Sequence, residues 1–141
     1  IVVSLNEEIA IRGYILHNLC QSFNKYIALI ISSFVFMVMH LGNPNIGILP
    51  LANLFLAGIF LGVYRIHKNN LWFPIGAHLM WNYLQGPIYG FEVSGNKINS
   101  LFEQKLKGHE VLTGGNFGYE GSIILTVFLI ISIYLMDKRF R

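Results

Sequence analysis

Long apolar blocks alternate with short polar breaks along this chain. The first block runs from Ile1 to about Leu19 and gives way at Gln21-Ser22-Phe23-Asn24-Lys25. The second, Tyr26 to Leu41, stops at Gly42-Asn43-Pro44-Asn45, whose composition is that of a turn. The third starts beside Pro50, a residue tolerated in a first helical turn, and runs to about Ile66 before His67-Lys68-Asn69-Asn70 closes it. The fourth extends from Leu71 to about Phe91, with Pro74 near its start and Pro87 near its end. A polar, glycine-rich segment occupies 92–120, and Gly121 to Met136 forms a last apolar block before Asp137-Lys138-Arg139-Phe140-Arg141. The pattern predicts an all-α chain of about five apolar helices. Each is roughly 16 residues long, short of the roughly 20 that a free-standing membrane crossing needs. A thin bilayer, or helix ends that continue into the polar flanks, would close the difference.

Composition turns this helical pattern towards lipid. Of the 141 residues 54% are apolar and only 12% charged, against about 25% charged in a soluble domain. Lipid covers such an excess more readily than protein does, so the expected architecture is a polytopic membrane helix bundle around a polar cavity. With alternating topology Lys25, Arg65, Lys68, Lys138, Arg139 and Arg141 fall on one side, which would be cytoplasmic. The net charge of +3 includes no basic run long enough to bind nucleic acid. Cys20 is the single cysteine, which excludes an internal disulfide and a cysteine-based metal cluster. The chain begins without Met and already apolar, and reads as a core preceded by further membrane helices.

Against this background the stretch Asn6-Glu7-Glu8-Ile9-Ala10-Ile11-Arg12 stands out. On a helix Glu8 and Arg12, four apart, stack on one face about 6 Å apart at Cβ. Glu7 lies about 100° round and is left without a partner at that spacing. A spare carboxylate among apolar helices is costly and marks a functional site by default. Two further polar sites interrupt the apolar blocks. His40 follows Phe36 by four residues, and Asn82 follows His78 by four, each pair on one helical face. Singly, such residues serve packing or interhelical hydrogen bonding as readily as chemistry, and Glu8–Arg12 alone could be a structural ion pair. Together, one carboxylate, two imidazoles and an amide can converge on a water-sized site. Carboxylate and imidazole can take a proton from water; imidazole and amide can donate to a developing oxyanion. Glu7, His40 and His78 could instead hold Zn²⁺ or another divalent metal and leave a position for water. His109-Glu110 opens like a zinc-protease H-E-x-x-H helix, but position 113 is Thr113 and the second ligand is absent.

The three motifs in order, E-E-x-x-x-R at Glu7-Glu8 to Arg12, F-x-x-x-H at Phe36 to His40 and H-x-x-x-N at His78 to Asn82, resemble those of the CPBP intramembrane proteases. This is also called the CAAX-protease or Abi family. The surrounding Leu71-Trp72-Phe73-Pro74-Ile75-Gly76-Ala77-His78 and Gly118-Tyr119-Glu120-Gly121 agree with it. The resemblance covers nearly the whole of 1–141 and implies an endopeptidase of antiparallel membrane helices around a conical cavity. It implies that Glu7 and His40 activate water, that His78 and Asn82 stabilise the oxyanion, and that Glu8 and Arg12 position them. Family names include metalloprotease, and a metal-free glutamate mechanism is also argued. Because Asn82 is a poor zinc ligand and a good donor, the metal-free version is the one expected here. The implied partners are membrane lipid and a peptide or protein substrate that can be lipidated, in CAAX processing or in bacterial peptide maturation or bacteriocin immunity. The implied location is a multi-pass position, in a bacterial cell membrane. The alternatives are a non-catalytic binding or immunity protein that keeps the fold, and a small transporter with an intramembrane ion path.

Overall fold

The computed structural model describes residues 2–141; Ile1, the first residue of the first apolar block, lies outside them. The regular elements among the described residues are all helical, and the only β-type pairing among them is an isolated antiparallel bridge, Val93 to Asn96. One long helical run opens the chain: α1 (Val2–Glu8), a π-helical segment (Ile9–Ile15) and α2 (Leu16–Ser22). Asn24 starts α3 (Lys25–Met39), its side chain accepting from the N–H groups of Tyr26 and Ile27. Helix α4 (Ile48–Lys68) carries Arg65, His67 and Lys68 in its last turn, cations that favour a helix C-terminus, and ends on Asn69 in the left-handed conformation. Helix α5 (Trp72–Tyr83) continues into a second π segment (Leu84–Ile88), where Pro87 cannot donate to the helical ladder. After a long connection come the single turn α6 (Glu110–Thr113), two 3₁₀ turns (Gly115–Phe117 and Tyr119–Gly121) and α7 (Ile123–Phe140), capped by Ser122 accepting from the Leu125 N–H.

Helix α4 is the hub. It packs against α3, α5 and α7, while α1 lies against α5 and the first π segment against α3. The α3–α4 contact is close because Gly58 faces Ser33: a Cβ on Gly58 would stand 2.8 Å from the Ser33 Cβ. Two apolar clusters fill the interior, one around Ile11, Phe36, Leu54 and Phe117, the other around Leu16, Ala28, Leu29 and Val63. The outside is apolar too. Phe34, Val127, Phe128, Ile131 and Leu135 are each more than half exposed. One helix among the described residues, α4, is by itself long and apolar enough to cross a membrane.

Candidate active site

The first helical run supplies the acids. Arg12 Nη1 donates to Glu8 Oε1 at 2.9 Å and Nη2 to the Gly58 carbonyl at 3.2 Å. Both members of the pair are fully buried, Glu8 at 0% and Arg12 at 1% exposure. The guanidinium also lies 4.3 Å above the Phe36 ring. A buried ion pair is costly unless its remaining donors and acceptors are met. Here α3 and α4 serve Arg12, through an aromatic face and a backbone carbonyl, while Glu8 Oε2 has no hydrogen-bond partner among the described residues.

Glu8 has a second partner that spacing along its own helix does not reveal. His78, from α5, lies with Nδ1 2.8 Å from the same Glu8 Oε1. His40, the C-cap residue of α3, lies with Nδ1 2.8 Å from the Phe36 carbonyl one turn back. A carbonyl accepts and does not donate, and Glu8 Oε1 is already an acceptor for Arg12. Both Nδ1 atoms therefore carry the hydrogen, and in each neutral ring Nε2 presents a lone pair. The two Nε2 atoms point to one place. Glu7 Oε2 stands 4.0 Å from His40 Nε2 and 3.8 Å from His78 Nε2, buried and without a hydrogen-bond partner among the described residues. One turn after His78, Asn82 donates through Nδ2 to Ser4 Oγ at 3.1 Å.

Glu7, His40, His78 and Asn82 line one cavity of about 460 Å³, together with Ser4 and Ser94. Behind the imidazoles lies a smaller, apolar cavity of about 80 Å³, walled by Phe36, Phe60, Trp81 and Phe128 and reached by Glu120. Sequence reasoning singled out neither Ser4 nor Ser94 and gave Glu120 no role. Ser4 had a signal, since it stands three residues before Glu7 and four before Glu8 on the same helical face. Ser94 and Glu120 sit in the polar, glycine-rich 92–120 segment, where no helical or strand periodicity places a side chain.

Two nitrogen or oxygen ligands on a tetrahedral zinc stand about 3.4 Å apart, closer than the 3.8 and 4.0 Å found between Glu7 and the imidazoles. Among the described residues no group of three or more His, Cys, Asp or Glu is arranged to hold a metal. As placed, Glu7, His40 and His78 do not form a zinc site. His109 and Glu110, at the start of α6, do not form one either.

An all-helical body with carboxylates and imidazoles gathered in its interior, under an apolar exterior, has the make-up of a membrane-embedded hydrolase. The family model described as Rce1-like, type II CAAX prenyl endopeptidase, matches residues 1–84, more than half of the chain and the whole stretch from Glu7 to Asn82. The chain belongs to this family of integral membrane proteases. No curated protein and no solved structure matches it.

Proposed function

We propose that this chain is the catalytic part of a multi-pass intramembrane endopeptidase, which hydrolyses a peptide bond near the membrane with water activated by Glu7 and His40. The observation that carries the reading is the buried, unpartnered Glu7 Oε2 between two imidazole nitrogens. An acceptor in that position is costly unless a water or substrate group meets it. A water held there has Glu7 and the His40 Nε2 lone pair as bases for its proton. The attacked carbonyl then faces His78 and Asn82. Because His78 Nδ1 is committed to Glu8, its Nε2 can donate only when the ring is an imidazolium. The Glu8 carboxylate orients the ring, and Arg12 holds the carboxylate in place. The Asn82 amide supplies the second donor to the oxyanion. Proton return from Glu7 to the leaving amine completes hydrolysis and frees both products. No step needs a metal.

The family's activity makes a prenylated C-terminal CAAX peptide the first substrate to try, with bacterial peptide maturation or bacteriocin immunity the other settings. Five apolar helical runs with exposed apolar faces support several membrane crossings. The test is cleavage of a farnesylated CAAX peptide and its unprenylated form by the purified protein, beside its Glu7→Gln variant. Cleavage by the wild type and a loss of at least a thousandfold in Glu7→Gln are expected. Wild-type protein that binds the peptide without cleaving it would favour a non-catalytic role.

A further inference from the structure

One carboxylate outside the motifs reaches the apolar cavity and, through Ser94, the wall of the polar one. Glu120 lies in the 3₁₀ turn Tyr119–Gly121, and α4 fixes the backbone from which it projects. Asn53, 1% exposed, donates to the carbonyls of Glu120 at 2.7 Å and Ser122 at 2.8 Å, and accepts from the Thr126 hydroxyl at 2.6 Å. From this base Glu120 Oε2 accepts both the Ser94 N–H, at 2.6 Å, and the Ser94 hydroxyl, at 2.9 Å.

Ser94 needs such a hold. It sits at φ 49° beside Gly95 at φ 79°, the two central positions of a tight turn closed by Asn96 N–H to the Val93 carbonyl at 2.9 Å and Val93 N–H to the Asn96 carbonyl at 3.0 Å. Left-handed backbone at both positions suits Asn-Gly; a serine there is strained. The turn is gripped at its second residue too. Gly95 N–H donates to the Phe117 carbonyl at 2.9 Å, and a Cβ on Gly95 would strike the Pro44 carbonyl, in the turn that follows His40. His40, His78 and Ser94 line both the polar and the apolar cavity. The Ser94 turn therefore stands as the partition between them, beside both imidazoles.

We propose that Glu120 is a positioning residue of the site: by its double grip on Ser94 it holds the 93–96 turn as the wall that registers the substrate backbone against His40 and His78. The proposal rests on the hydrolytic reading above, and Glu120 acts in it without touching the reacting atoms. A wall of this kind sets the distance between the bound peptide and the activated water. Its loss should appear in turnover more than in substrate affinity.

The test compares wild type, Glu120→Ala, Glu120→Gln, Ser94→Gly and the Glu120→Ala/Ser94→Gly double variant as purified protein. The measurements are hydrogen exchange at amides 93–96 and kcat and KM for peptide cleavage. Glu120→Ala should speed exchange in the turn and lower kcat at least tenfold, with KM within about twofold. Glu120→Gln, whose amide oxygen still accepts from Ser94, should recover most of both. Ser94→Gly relieves the left-handed serine and keeps its N–H, so it should stay folded and lose less. The double variant should be no worse than Glu120→Ala alone. Unchanged exchange in Glu120→Ala would overturn the grip, whatever the activity. Faster exchange with wild-type kcat, additive losses in the double variant, or a Glu120→Gln as slow as Glu120→Ala despite normal exchange would overturn the positioning role. A wild type that cleaves nothing would sink the hydrolytic reading and the positioning role with it, while exchange still reports on the grip.

Discussion

Arg12 shows how much a single side chain does here. It neutralises Glu8, lies over Phe36 and donates to the Gly58 carbonyl, all while 1% exposed. Arg12→Ala would leave the buried Glu8 without its cation and with only His78 as a partner, a loss of about 3–5 kcal/mol; the variant should unfold on mild heating in detergent, followed by circular dichroism. Arg12→Lys keeps the charge but not the planar fork that serves Glu8 and Gly58 together. It should remain folded and lose kcat with KM little altered, because a displaced Glu8 no longer orients His78. Wild-type turnover in Arg12→Lys would show that His78 does not depend on this pair. The Glu8–Arg12 stacking was legible in the sequence, since a four-residue spacing fixes a shared helical face. The Glu8–His78 hydrogen bond was not. It joins residues 70 positions apart, and no local pattern carries that information.

At the scale of the elements, the helices were legible and the connections were not. Apolar blocks and polar breaks located the five helical runs within a few residues, because turn chemistry such as Gly42-Asn43-Pro44-Asn45 is local. Two features lie outside that reach. The first π segment starts directly after Glu8 and the second two residues after Asn82, where α-helix would be the default reading, and the 92–120 segment folds back on the site through contacts to distant backbone. Gly58 and Gly62, four apart on α4, leave room for a close helix approach, and Ser33 and Leu29 of α3 fill it. Gly58→Val would push branched carbons into Ser33, whose Cβ already stands 2.8 Å from an added Cβ, and would shift the carbonyl that Arg12 uses. Overpacking of this kind costs about 1–3 kcal/mol. Cleavage should fall along with thermal stability; Gly76→Ala in α5, where a Cβ meets nothing within 4 Å, is the control.

For the molecule as a whole, pH and metal offer two handles. Burial raises the Glu120 carboxyl above its ordinary range, and the two hydrogen bonds from Ser94 offset part of that rise. A raised carboxyl favours the fold while it is protonated. That contribution is complete below the unfolded value of about 4.3 and is lost as pH rises through the higher folded value. Wild-type melting temperature should therefore drop over this window, and Glu120→Gln should flatten that component; parallel pH profiles of the two would refute it. Exhaustive chelation addresses the hydrolytic chemistry. Since Glu7, His40 and His78 do not form a zinc site as placed, cleavage should survive in protein stripped of metal, with metal content measured on the same sample. Activity that disappears and returns with Zn²⁺ alone would require the three donors to close in on an ion.

The first π segment has a consequence for how such proteins are compared. A π turn takes up one residue more than an α turn, so Ile9–Ile15 is an insertion hidden inside an unbroken helix. Removing Tyr14, which is 71% exposed and absent from both core clusters, would let that stretch wind as α-helix. Because the π turn absorbs the extra residue, Glu7 and Glu8 would keep nearly their present facing relative to Leu16 and the rest of α2. The same deletion within an α-helical stretch would instead swing the two flanks about 100° apart. A relative that lacks one residue here would therefore hold its acids towards the imidazoles as this chain does, although its numbering falls one residue out of step.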